Sequence, residues 1–337
     1  MTLLSIIWFG LAALLLAVFA VTDGFDLGAG IVYGFTKDAG RKKRILSTIS
    51  PIWSGNEVWL LAGIGSLLAA FPPVYSALLS SLYVPVILVL MALVFRAGGV
   101  ELRTKVEGRR IARFLDGCIL AGSLVPAWGI GLVAGNLLLG MPLDADGIVK
   151  GSWLFFLNPF SIVAGFASLA AFGLHGLVYV SAKTRGEDRE AFVGFARTSL
   201  GIFAAIVAAL AVASVFLLRQ RFAASRALVG FWIFAALTVV GYTGVFTDLR
   251  ARRIGGAFAA SAIGLLSIVG MSACLLFPVM IPSRLGAASD LVVANAASSD
   301  RSLLVMLVIA AIGVPLIALY TIVAYRSFRG QTKPAEY

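Results

Sequence analysis

The chain has 337 residues, 60% of them hydrophobic and only 13% charged, about half the charge of a soluble domain, which averages about 25%. Apolar runs of about 20 residues recur along its whole length, the mark of transmembrane helices, which excludes a soluble enzyme or binding module. The net charge of +11 does not indicate a nucleic-acid partner, because the Lys and Arg sit in short loops between apolar runs, where they orient a membrane protein.

Taken in chain order, nine spans are predicted near 3–34, 50–71, 74–95, 114–140, 153–182, 198–218, 228–248, 255–278 and 302–325. The fold class is all-α, a polytopic membrane protein forming a single integral membrane domain over 1–337. The opening MTLLSIIWFG lacks a positive n-region and an A-x-A cleavage site, so it reads as a retained first helix. The segments near 36–47, 96–113, 183–197 and 249–254, with the C-terminal tail, hold 21 of the 27 Lys and Arg. By the positive-inside rule the N-terminus lies outside and the C-terminus in the cytoplasm.

The first run is longer than one bilayer crossing: 32 residues at 1.5 Å rise make roughly 48 Å, against about 30 Å of hydrocarbon. Within it, TDGFDLGAG (Thr22 to Gly30) places Asp23 and Asp26 at i, i+3, on one helix face. Gly24-x-x-x-Gly28 and Gly30-x-x-x-Gly34 are spacings that admit a close helix neighbour. The second span carries Trp53, Ser54, Asn56, Glu57 and Trp59 in SPIWSGNEVWL, and FPP at Phe71 to Pro73 ends it. Running antiparallel to the first, it brings Glu57 to a depth similar to that of Asp23 and Asp26. These three are the acids that lie well within spans, where an ionised carboxylate is costly and must face helices or water, find a partner, or hold a proton. With the third span ending at 95, no Lys or Arg falls inside one, so an ion pair within the chain is not expected.

Two readings of the acids stay open: a protonatable chain leading from the cytoplasm into the membrane, or packing through hydrogen bonds to backbone or to Asn56. Trp53 suits an interfacial anchor, while the deeper Trp59 packs against a helix or a hydrophobic cofactor. His175, the single histidine, lies about eight residues from the cytoplasmic end of the fifth span. It is either a structural hydrogen-bonding group or a titrating one. One histidine cannot serve a chain of haems, and no Cys/His cluster makes a metal site. Cys118 and Cys274, isolated in apolar runs, read as core residues. The third and ninth spans echo each other through Val84-Pro85 with Phe95-Arg96 and Val314-Pro315 with Tyr325-Arg326, a pattern that duplication or chance explains.

Seven motifs in order together resemble subunit II of a cytochrome bd-type quinol oxidase, the haem-free partner of a haem-bearing subunit I. They are TDGFDLGAG; SPIWSGNEVWLLAGIGSLLAAFPPVY; VFRAGGVELRTK, with a loop charge cluster of Arg96, Glu101 and Arg103; LDGCILAGSLVPAWGIGLVAGNLLLGMP with LNPFSIVAGF; HGLVYVSAKTRGE; FPVMIPS; and NAASSDRSLLVM with VPLIALYTIVAYRSFRG. The resemblance implies a nine-helix subunit, multi-pass in a bacterial or archaeal plasma membrane, forming a heterodimer with subunit I. It places haem b and haem d in that partner, which oxidises quinol and reduces dioxygen to water with cytoplasmic protons. A structural quinone and small single-helix subunits are further components such a complex can contain. The proton-transfer candidates are then Asp23, Asp26, Ser54, Glu57 and His175. Trp53, Asn56, Trp59, Gly24 and Gly28 are candidates for helix packing or quinone contact, and no metal ligand or catalytic residue is expected in this chain. One departure stands out: where the family commonly has Trp-Asp-Gly-Asn, this chain has Trp53-Ser54-Gly55-Asn56. Either Glu57 takes the missing carboxylate's role, or the route differs or is absent. The rival function is an ion-coupled secondary transporter with Asp23, Asp26 and Glu57 as its ion site.

Overall fold

The computed structural model describes residues 1–328 and 330. Arg329 and Lys333, which contribute to the basic tail, lie outside them. Among the described residues thirteen α-helices carry the fold: α1 (Leu3–Phe35), α2 (Ala39–Ile49), α3 (Trp53–Ala70), α4 (Pro72–Ser81), α5 (Tyr83–Leu102), α6 (Arg109–Leu139), α7 (Pro159–Lys183), α8 (Gly186–Leu217), α9 (Arg219–Ala224), α10 (Leu228–Arg250), α11 (Ile254–Leu276), α12 (Val293–Ala296) and α13 (Asp300–Ser327). Eight are long and apolar enough to cross a membrane, and nine crossings result if α3 and α4 count as one broken span. The protein is an all-α polytopic membrane protein.

Local signals start the helices. Thr2, Asn158 and Ser299 cap α1, α7 and α13 by accepting a backbone N–H, and Pro159 occupies the first turn of α7, where its missing donor costs nothing. The second predicted span, 50–71, does not pass straight into a third at 74. Pro72 and Pro73 open a separate short helix, α4, bent by 118° from α3. The third crossing, α5, therefore starts later and runs on to Leu102. Two predicted loops are partly helical as well: α2 fills most of 36–47, and α8 begins at Gly186, well before its apolar stretch.

Helix α1 is the hub and touches α2, α3, α6, α7, α11 and α13. Its contact with α7 is close enough that a Cβ on Gly28 would collide with the Phe172 carbonyl, and one on Gly176 would collide with the Gly28 backbone. Gly24 faces the Phe172 ring, while Gly30 and Gly34 meet Ser123 and Leu120 of α6. Small residues at four-residue spacing thus serve two neighbours at once, α7 and α6.

At the end away from most of the Lys and Arg, a cap laces the bundle. Strands β1 (Val279–Ile281) and β2 (Leu291–Val292) pair antiparallel, with Val279 opposite Val292 and Ile281 opposite Leu291. Met141 N–H donates to the Pro282 carbonyl (2.9 Å), Arg284 N–H to that of Met141 (2.9 Å), and Ser298 N–H to that of Ala70 (2.8 Å). The loop after α6 is organised by Asp144, which accepts from the Asp146 and Ile148 amides and pairs with Lys150 at 2.9 Å. The Lys150 ammonium and the Ile148 amide hold its carboxyl below the usual aspartate range.

Candidate functional site

Polar side chains meet inside the bundle where α1, α3, α5 and α13 come together. Arg96 occupies α5 and is fully buried, so two expectations are corrected: a basic residue does lie within a crossing, and an ion pair inside the chain exists. The guanidinium grips Asp23 with both ends of its fork, Nη2 to Oδ1 at 2.9 Å and Nη1 to Oδ2 at 3.1 Å. Nη1 also reaches Glu57 Oε1 at 3.5 Å, a longer and weaker contact. Gly122 of α6 makes the space, since a Cβ there would press on the Arg96 backbone and Cβ at under 3 Å. A buried charge survives only when paired, and Asp23 is Arg96's principal partner.

One turn along α1, Asp26 joins a second chain of contacts. Tyr325 of α13 donates its hydroxyl to Asn56 Oδ1 (2.7 Å), and Asn56 Nδ2 donates to Asp26 Oδ2 (2.6 Å). Asp26 Oδ1 has no hydrogen-bond partner among the described residues, although it is buried. Glu57 differs from both aspartates in its exposure: its side chain is 25% accessible, whereas those of Asp23 and Arg96 are at most 1%. Ser54, one turn earlier on α3, is exposed and takes no part in the network. One cation therefore faces three carboxyls, with Asp23 locked to it, Asp26 sealed in, and Glu57 reaching the protein surface.

Trp53 donates to Glu101 Oε1 at 3.3 Å. The deeper Trp59 packs with Leu15 and Phe19 of α1 and donates to Thr321 Oγ1 at 3.3 Å. The predicted cluster of Arg96, Glu101 and Arg103 is not one cluster. Arg96 is in the membrane, Glu101 lies 4.0 Å from Lys105, and Arg103 binds Asp116 at 2.5 Å. Asp116 also accepts from Tyr33 (2.5 Å) and Lys42 (2.8 Å), and so ties α1, α2 and α6 to the segment after α5.

His175 stands apart from the acids. Its Nε2 lies 3.1 Å from the Val21 carbonyl and its Nδ1 2.7 Å from Ser261 Oγ of α11. The Val21 carbonyl can only accept, so Nε2 carries a hydrogen, while Nδ1 faces the Ser261 hydroxyl, which also donates to the Phe258 carbonyl at 2.8 Å. Phe258 stacks on the ring at 4.7 Å between centroids. With both ring nitrogens engaged, neither is free to ligate a haem iron, so this chain's one histidine does not fit an axial role. Among the described residues no group of three or more His, Cys, Asp and Glu gathers to hold a metal.

The sequence points to Asp23, Asp26, Asn56 and Glu57, and the structure brings them together. It adds Arg96 and Tyr325. With α4 set off at Ser81, the apolar stretch left for the third crossing, Tyr83 to Phe95, spans only about 20 Å as a helix, so the crossing takes in Arg96. Read from sequence, the apolar run begins at 74 and is long enough to cross, so nothing there marked Arg96 as buried.

Comparison with known proteins places the chain. A family model described as cytochrome bd terminal oxidase subunit II matches residues 4–328. The chain is 33% identical over 331 residues to cytochrome bd ubiquinol oxidase subunit 2 of Bacillus subtilis, covering 98% of this chain and 97% of that one. It is also 33% identical over 364 aligned residues to cytochrome bd-I ubiquinol oxidase subunit 2 of Escherichia coli K12, covering 97% and 95%. In fold it resembles a chain of the bd oxidase of Geobacillus thermodenitrificans, with a TM-score of 0.78 at 16% identity over 97% of this chain and 99% of that one. The chain belongs to the cytochrome bd terminal oxidase subunit II family and is a multi-pass subunit of a bacterial membrane quinol oxidase.

Proposed function

We propose that this chain is the haem-free half of a heterodimer whose other half, subunit I, carries haem b and haem d, and that it delivers protons from the cytoplasm toward the site of oxygen reduction there. The haems supply the redox chemistry in the partner; this chain holds and moves protons. The observation that carries the reading is the arrangement of three carboxyls around one buried guanidinium. Asp23 is a fixed counter-ion, because both of its oxygens are bonded to Arg96. The exchangeable positions are then Asp26, whose Oδ1 has no partner, and Glu57, the one carboxyl of the three that reaches the surface. One cation against three carboxyls leaves oxygens that only protons neutralise in a low-dielectric setting.

The missing carboxylate at Ser54 is replaced by Glu57, one helical turn deeper. That shift puts the acid within 3.5 Å of Arg96, in range to feel the charge of the whole cluster. The hydrogen-bonded pair Asn56–Tyr325 orients Asp26. Trp59, buried against α1, is a packing residue, as are Gly24 and Gly28 at the α1–α7 crossing.

The partner assignment is tested by purifying this chain from its native membranes in gentle detergent and recording a reduced-minus-oxidised absorbance spectrum. A co-purifying haem b and haem d spectrum, absent when the chain is expressed alone, is expected. A colourless preparation without a partner contradicts it.

A further inference from the structure

The chain's single histidine is buried on α7 and touches none of the acids, yet its partners sit beside them. The Nε2–H of His175 donates at 3.1 Å to the carbonyl of Val21, just ahead of Asp23 and Asp26 on α1. At about 100° per residue, Val21 and Phe25 share one face of that helix, while Asp23 and Asp26 lie about 200° and 140° round from Val21. The acids therefore project from the opposite face, toward Arg96 and Asn56.

His175 and Tyr179, one turn apart on α7, hold the first face. Tyr179 stacks on Phe25 at 4.1 Å between ring centroids, and Phe25 meets the imidazole edge-on at 6.0 Å. Phe258 of α11 covers the imidazole at 4.7 Å and Ser261 stands 2.7 Å from Nδ1, so a third helix fixes the ring. Phe25 also meets Tyr325 edge-on at 6.2 Å, and Tyr325 bonds Asn56, which bonds Asp26. The imidazole thus reaches Asp26 by two routes, the α1 backbone and the Phe25–Tyr325 contact.

We infer that His175 is a positioning residue: its N–H pins the Val21 carbonyl and so sets the rotation of the α1 turn that presents Asp23 to Arg96 and Asp26 to Asn56. The effect on turnover rests on the proton-delivery reading above; the pin itself does not. Elsewhere at this crossing α1 and α7 meet through glycine, Gly28 against Gly176, a smooth contact that fixes distance better than rotation. In hydrocarbon no hydrophobic effect holds two helices in register, and a directional bond across a smooth crossing supplies what is missing. Removing the imidazole strands neither partner. The Val21 carbonyl, interior to α1, keeps the Phe25 amide, and the Ser261 hydroxyl keeps the Phe258 carbonyl at 2.8 Å. His175→Leu should therefore fold and assemble.

The test compares His175→Leu and His175→Gln with wild type in the purified oxidase complex, since Gln keeps an N–H close to where Nε2 stands. In His175→Leu, amide exchange over residues 22–28, read by mass spectrometry, should be at least about threefold faster, the scale of one hydrogen bond in a membrane protein. Exchange in α10 should be unchanged, and His175→Gln should restore the wild-type rates. Oxygen consumption per haem should fall at least about threefold in His175→Leu, with haem content and the KM for quinol unchanged, and recover in His175→Gln. Added to Asp26→Asn, His175→Leu should cause no further fall, because both act on the same turn. Unchanged exchange overturns the proposal. So does a Gln variant that behaves like Leu, since ring shape rather than the bond then matters, and so does an equal fractional loss of rate with and without Asp26→Asn. Faster exchange at full turnover overturns the positioning role where Asp26→Asn is slow. Where Asp26→Asn also runs at full rate, the pin stands and the proton-delivery reading has failed.

Discussion

Arg96 is the residue on which the site turns, and its cost shows in what its removal would leave behind. Arg96→Gln strips Asp23 of its counter-charge in a buried position, a change worth about 3–5 kcal/mol. The expected outcome is a marked fall in the melting temperature of the oxidase, with haem lost earlier in the thermal ramp. Replacing both partners, Arg96→Met with Asp23→Leu, should restore most of that stability, because a buried ion pair and an apolar pair of similar volume are often equivalent in energy. If the double variant is as unstable as the single one, Asp23 is not the group that Arg96 balances. At this scale the sequence was informative where a residue type is improbable in hydrocarbon: Asp23, Asp26, Asn56 and Glu57 each announce themselves. It was silent on Tyr325, Thr321 and Ser261, because hydroxyl side chains are common in membrane helices and a tyrosine near a span end is ordinary at an interface. Arg96 sat at the margin of an apolar run, where a loop and a buried charge look alike.

The helices meet their neighbours through glycine, and the consequences of adding a side chain differ by position. Gly28→Val puts bulk where the Phe172 carbonyl and the Gly176 backbone already lie, and it should abolish assembly or lower stability by at least about 3 kcal/mol. Gly65→Ala and Gly98→Ala, with nothing within 4 Å of a new Cβ, should be neutral or stabilise by up to about 1 kcal/mol. Melting curves of the three variants decide the matter, and equal behaviour would refute the close α1–α7 crossing. The loop after α6 offers a pH test. Asp144 has its carboxyl held low by Lys150 and the Ile148 amide, so its contribution to loop order is complete above the ordinary aspartate value, about 3.9. That contribution is lost as pH falls through the depressed value. Amide exchange at Asp146 and Ile148, corrected for its intrinsic pH dependence, should lose protection in acid, and Asp144→Asn should show the loss already at neutral pH. Helix positions were mostly legible from apolar runs, but the 118° bend between α3 and α4 was not. Hydropathy continues unbroken through Tyr75 to Leu82, and only Pro72 and Pro73 mark where the backbone ladder must restart.

For the whole molecule, family membership leaves the transporter reading without support, and the buried network takes its meaning from the complex. Helices α8 and α13 leave most of their apolar surface uncovered by this chain, as a subunit that meets lipid and a partner requires. Asp26 is sealed from solvent, Asp23 is committed to Arg96, and Glu57 is the one carboxyl of the three that reaches the outside of the chain. On the function proposed above, Glu57 carries the protonic role that Ser54 cannot. Oxygen consumption per haem by the purified complex carrying Glu57→Gln, measured with and without a second change of Ser54→Asp, tests it most directly. The rate should be at least about tenfold lower with the haem spectrum unchanged, and should recover substantially when Ser54→Asp restores a carboxyl one turn away. An unchanged rate in Glu57→Gln would contradict it.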